Sequence, residues 1–103
     1  MVPGLEVYVE YSEDAAVVRV VGDIELSTST QLNRELDGVL ARRPARVRLD
    51  LLAVGFMDTT GVAVLLKARR RALELDCRLT VTSSSPTITR LLEITGLTSL
   101  LTE

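Results

Sequence analysis

Residues 46–81 read RVRLDLLAVGFMDTTGVAVLLKARRRALELDCRLTV, and this stretch decides the fold. Val47, Leu49 and Leu51 alternate with Arg48 and Asp50, the period of two expected of a strand. From Asp58-Thr59-Thr60-Gly61 to about Leu75 the residues are strong helix formers, with Leu65, Ala68, Ala72 and Leu75 on one stripe. Leu79 and Val81, set between Arg78, Thr80 and Thr82, make the next strand. A strand, a helix and a strand in succession require two parallel neighbours in one sheet.

Working outward, the N-terminal side reads as a hairpin followed by a helix. Leu5, Val7, Val9 and Tyr11 alternate with Glu6, Tyr8 and Glu10, Ser12-Glu13-Asp14 is a turn, and Ala15 to Val21 is a second strand closed by Gly22. Thr28 with Gln31 three residues later fits a capping box. Leu32, Leu36, Val39 and Leu40 then form an apolar helix stripe that ends at Arg42-Arg43-Pro44. On the C-terminal side, Ser83-Ser84-Ser85-Pro86 is a helix start, and Ile88, Leu91, Leu92 and Thr95 continue it to Gly96. Leu97 to Leu101 is either a last edge strand or a terminal helical turn. The expected fold is α/β, a mixed sheet of four to five strands packed with helices in the order β-β-α-β-α-β-α-(β). Its first strand pairs antiparallel at the edge. Leu49, Leu51, Leu65, Ala68, Leu79, Val81, Ile88 and Leu91 are expected to share the core.

Composition narrows the chemistry. The 103 residues suit one domain, 1–103, and 47% hydrophobic content with a net charge of −2 excludes intrinsic disorder. No apolar run approaches the roughly 20 residues of a membrane span, and Met1 to Glu6 lacks a basic-then-apolar leader. A cytoplasmic domain is expected. There is no histidine to act as general base or metal ligand, and one cysteine, Cys77, builds neither a disulfide nor a zinc cluster. The acidic balance and the scarcity of aromatics, at 3%, argue against nucleic-acid binding. A regulatory or binding module is expected, with no enzyme activity, metal or cofactor.

In strand–helix folds, sites gather where strand C-termini meet helix N-termini. Here that edge collects Asp23, Glu25 and Ser27 to Thr30, then Asp58 to Gly61, then Ser83 to Ser85. No Lys or Arg and no glycine-rich phosphate loop stands among them. Asp58 reads as an N-cap accepting from the N–H of Thr60 or Gly61. Thr59 reads as a hydroxyl on the first helical turn, open to phosphorylation. Lys67, Arg69, Arg70 and Arg71 read as a solvated helix face. Ser83, Ser84 and Ser85 read as a helix-start loop rather than nucleophiles, since no histidine activates them.

Three elements carry a family resemblance over about Val7 to Leu101. Gly22-Asp23-Ile24-Glu25, Phe56-Met57-Asp58-Thr59-Thr60-Gly61-Val62, and Ser85-Pro86 followed by Leu91-Leu92 and Thr95-Gly96-Leu97 resemble the STAS family, in particular its bacterial anti-sigma factor antagonists. The resemblance implies a non-enzymatic protein that binds an anti-sigma factor and thereby frees a sigma factor. The implied partner is a serine/threonine kinase with a histidine-kinase-like ATPase domain. It phosphorylates the hydroxyl after the motif aspartate, here Thr59, and a metal-dependent phosphatase resets the switch. The implied partner surface is Asp23, Glu25, Ser27, Asp58, Thr59, Thr60 and Gly61. Threonine stands at 59 where serine is usual in the simple antagonists, and glutamate at 25 where aspartate is commoner. The alternative is a STAS scaffold or accessory subunit of a stressosome-like or lipid-transport assembly.

Overall fold

The computed structural model describes residues 4–101. In chain order the elements are β1 Glu6–Tyr11, β2 Ala15–Val21, α1 Leu26–Ala41, β3 Arg46–Ala53, α2 Thr59–Glu74, β4 Arg78–Ser84 and α3 Pro86–Ile94, followed by a 3-10 turn at Thr98–Leu101. The strands lie side by side in the order β1-β2-β3-β4, with β1 antiparallel to β2 and the other pairs parallel.

The period-two pattern of each strand decides which face is buried. The register aligns Val9, Val18, Leu49 and Val81 in one row and Tyr11, Ala16, Val47 and Leu79 in the next. Val18 and Leu49 are fully buried on this face. The opposite face aligns Tyr8, Arg19, Asp50 and Ser83, and it stays polar. There the Arg19 guanidinium lies 5.7 Å from the Tyr8 ring centroid. The α1 stripe Leu32, Leu36, Val39, Leu40 and the α2 stripe Leu65, Ala68, Ala72 are buried in the same core as the sheet rows. Leu75 and Leu91 only partly join it.

One expectation is corrected and one open choice is decided. The capping box of α1 lies three residues earlier than Thr28–Gln31. The helix starts at Leu26 with Glu25 as its N-cap, and the Thr28 hydroxyl accepts from the Glu25 N–H at 3.0 Å. Thr28 is therefore inside the first turn, and Gln31 reaches away to donate to the Leu5 carbonyl at 2.8 Å. Among the described residues there is also no fifth strand. Leu97 and Leu100, three apart, are both buried, a spacing that a 3-10 turn satisfies and a strand does not.

α1 ends where Pro44 disfavours right-handed helical geometry in the residue before it; Arg43 stands there at φ 53°, in the left-handed region rather than in extended backbone. No helix among the described residues is long and apolar enough to cross a membrane. Leu65 is 0% exposed at the centre of the α2 stripe. Leu65→Ala is expected to lower unfolding free energy by about 2–5 kcal/mol, measured by chemical denaturation.

Candidate functional site

Beyond the ends of β2 and β3 the chain continues to pair without forming strand. The Gly22 N–H donates to the Ala53 carbonyl at 3.2 Å, with Gly22 at φ +118°, a conformation that favours glycine. Two residues on, the Ile24 N–H donates to the Phe56 carbonyl at 2.9 Å, and the Asp58 N–H returns a bond to the Ile24 carbonyl at 3.0 Å. This is an isolated parallel bridge between Ile24 and Met57. It fixes the loop before α1 against the loop before α2, so the two helix N-termini share one edge.

Both bridge side chains point inward, Ile24 at 0% and Met57 at 5% exposure. They lie directly under Gly61. A Cβ at Gly61 would stand 2.6 Å from Met57 Cγ and 2.7 Å from Ile24 Cγ2. The glycine in the Asp58-Thr59-Thr60-Gly61 turn is thus dictated by close approach. In the neighbouring loop the Thr28 hydroxyl donates to the Asp23 carbonyl at 2.7 Å, and the Ser27 hydroxyl donates to Glu25 Oε1 at 2.8 Å.

Asp58 is the N-cap of α2. Its Oδ1 accepts from the Thr60 N–H at 2.9 Å, from the Gly61 N–H at 3.4 Å and from the Thr60 hydroxyl. The Thr60 hydroxyl bond is the largest cause holding its carboxyl below the usual aspartate range, helped by the backbone N–H groups of Thr60, Gly61 and Leu26 and opposed by partial desolvation. Asp58 is therefore ionised at neutral pH. Thr59, the first residue of α2, is exposed, and its hydroxyl makes no hydrogen bond among the described residues. The two threonines divide the work: Thr60 is consumed by the cap, and Thr59 is left to solvent.

Asp23 and Ser27 are exposed, Glu25, Asp58 and Thr60 half-buried, and Gly61 buried. Ser83 to Ser85 serve the start of α3, where Ser85 Oγ accepts from the Ile88 N–H at 3.3 Å and Ser84 pairs with Thr89 at 2.6 Å. The basic run on α2 is partly structural. Arg69 donates to the Gly96 carbonyl at 3.3 Å and to Ser99 at 3.2 Å, and Arg71 pairs with Asp37 at 3.2 Å. Cys77 is buried, and burial pushes its thiol pKa up, which suits packing rather than nucleophilic attack. Among the described residues no group of three or more His, Cys, Asp or Glu is placed to hold a metal.

Sequence reasoning missed two side chains on this edge, Leu26 and Phe56, both large, apolar and exposed. An apolar residue at the first helical position and another between Gly55 and Met57 break the burial pattern of their neighbours, and that break is the signal.

A mixed sheet that brings hydroxyls and carboxylates to one strand–helix edge defines the class, a small α/β domain with its candidate site on that edge. The chain belongs to the STAS domain family: the family described as Mlab, STAS domain, matches residues 7–102. It is 27% identical to an anti-sigma F factor antagonist of Paenibacillus polymyxa, over 90% of this chain and 80% of that one. It is 28% identical to an anti-sigma-B factor antagonist of Listeria monocytogenes, over 89% of this chain and 81% of that one. The crystal structure of an anti-sigma factor antagonist from Mycobacterium paratuberculosis superposes with a TM-score of 0.83 at 26% identity, covering 94% of this chain and 82% of that one.

Two outcomes are expected from the edge itself. Gly61→Ala drives a methyl into two buried side chains and is expected to destabilise by about 1–3 kcal/mol in thermal or chemical unfolding. Because the Asp58 pKa is depressed on folding, its carboxylate stabilises the native state above the unfolded aspartate pKa and loses that effect as pH falls through the folded value. The stability advantage of the wild type over Asp58→Asn is therefore expected to shrink below about pH 4, read from denaturation midpoints across pH.

Proposed function

We propose that residues 1–103 form one STAS domain that acts in the cytoplasm as an anti-sigma factor antagonist, without enzyme activity of its own. It binds an anti-sigma factor, frees the sigma factor held there, and is switched off by phosphorylation of Thr59. The observation that carries this reading is the free, exposed hydroxyl of Thr59 on the edge that the Ile24–Met57 bridge assembles. The names of the relatives at 27% and 28% identity support the antagonist class. The kinase in this reading is the anti-sigma factor itself, with a histidine-kinase-like ATPase domain, and a metal-dependent phosphatase removes the phosphoryl group.

The chemistry needed from this chain is small. Thr59 Oγ1 takes the γ-phosphoryl of ATP, losing its proton, and ADP leaves. The protein's part is to present the oxygen at a fixed place, which the Asp58 cap and the buried Gly61 do. The product adds about −1.5 to −2 charges and three acceptor oxygens next to Asp58, already ionised. The amide dipoles at the start of α2 tolerate that charge in water. A docked interface does not, because the phosphate has to shed its hydration beside a like charge. Shifting a complex from almost wholly bound to almost wholly free takes roughly 5.5 kcal/mol, a scale that an uncompensated buried phosphate reaches. No refolding is required.

Incubated with its cognate kinase and ATP, the chain is expected to gain one phosphoryl group, and Thr59→Ala none, as read by intact-mass spectrometry. Thr59→Ala is expected to keep binding the anti-sigma factor, while stoichiometrically phosphorylated wild type loses it. Equal binding of the two forms would end the switch and favour the scaffold alternative. A phosphate on Thr60 or Ser84 would show that the site is misplaced.

A further inference from the structure

The edge that presents Thr59 also exposes two large apolar side chains, Leu26 at 77% and Phe56 at 51%. Neither exposure serves the fold. Leu26 opens α1, and Phe56 contributes its carbonyl, not its ring, to the bond with Ile24. The bridge holds both on one edge, since Leu26 follows Ile24 by two residues and Phe56 precedes Met57. The Asp58 N–H donates to the Ile24 carbonyl at 3.0 Å, which places the start of α1 beside the residue preceding Thr59.

The two chain segments that carry the pair bear charge of one sign. Asp23, Glu25 and Asp58 flank it, and no Lys or Arg occurs in residues 20–33 or 49–66. The first cations along the two helices are Arg34 and Lys67, each eight residues beyond Leu26 or Thr59, or about 12 Å along the axis. Single exposed apolar residues are ordinary. Two of them inside a cation-free fringe of carboxylates have the layout of a protein interface, an apolar centre with a charged rim.

We propose that Leu26 and Phe56 are the apolar anchors of the partner interface, and that the partner is a protein surface with an apolar recess bordered by Lys and Arg. This deepens the antagonist reading and rests on it. Charge complementarity selects the occupant: a second copy of this chain would bring the same carboxylates to the same place and be repelled. The two kinds of group then act on different rates. Carboxylates at the rim speed association and are screened by salt, whereas buried anchors slow dissociation and are not. Thr59 lies with the anchors, at the part that becomes dry on docking. A phosphate there is desolvated at the centre and does not merely strengthen the rim.

The test uses the full chain, the cognate anti-sigma factor and surface plasmon resonance at low and high salt. Leu26→Ser and Phe56→Ser are expected to keep the wild-type melting temperature, because both side chains are already exposed. Each is expected to weaken binding about 30-fold or more through faster dissociation, with an unchanged salt slope. Asp23→Asn is expected to slow association about threefold at low salt, with the difference vanishing at high salt. If wild type binds and both serine variants bind within about threefold of it, the anchor proposal falls and the antagonist reading stands. If wild type binds no anti-sigma factor at all, both fall. Wild-type dimerisation in analytical ultracentrifugation that Phe56→Ser abolishes would assign the anchors to a second copy and overturn the proposed partner.

Discussion

The geometry of the candidate site depends on one pair of backbone hydrogen bonds, Ile24 N–H to Phe56 and Asp58 N–H to Ile24. They extend the parallel β2–β3 pairing beyond the strands themselves. Without them the loop before α1 and the loop before α2 would be independent, and each would order its own helix start. With them the two N-termini form one surface, and the buried Ile24 and Met57 side chains support it from below. Backbone bonds of this kind are cooperative with packing: the bridge aligns the side chains, and the buried side chains exclude water from the bridge. The absent Cβ at residue 61 is the third member of that contact.

This arrangement explains how neighbouring threonines on one turn acquire different roles. The Asp58 carboxylate faces the open amides of the first turn of α2, and the Thr60 hydroxyl joins them as a further donor. Thr59 precedes the turn that wraps back to Asp58, and its hydroxyl makes no such bond among the described residues. Its exposure is a geometrical consequence of capping, not an additional device. The proposed modification needs a hydroxyl that is free and chemically accessible, and an N-cap at the preceding position supplies both conditions.

Much of this was legible in the sequence, for identifiable reasons. Period-two alternation in β1, β3 and β4, the Leu65–Ala68–Ala72 stripe, the Asp58 cap and the Ser85-Pro86 helix start are local signals, and local physics decided them. The start of α1 was misread because Thr28 resembles a cap residue, whereas its hydroxyl serves Glu25 and Asp23 from inside the helix. Leu97 to Leu101 left two choices open, because its last residues are too few for either period to declare itself. The Ile24–Met57 bridge had no local signal at all, since its partners are 33 positions apart. The crowding at Gly61 was equally hidden, as it exists only once that bridge has formed.

In the proposed switch, the distribution of charge on the edge sets the direction. On charge alone, an acidic surface that meets a basic one binds better with every negative charge added. That expectation holds for the rim, where charges keep most of their water and act at a distance. It reverses in the proposed interface, where Leu26 and Phe56 exclude solvent on docking, because a charge there loses its hydration and gains only what a fixed partner group can return. The cap makes the reversal steeper, since Asp58 is already ionised beside the acceptor oxygen and cannot relieve the repulsion by taking up a proton near neutral pH. A single phosphoryl transfer at the apolar centre can therefore oppose a complex that the surrounding carboxylates promote.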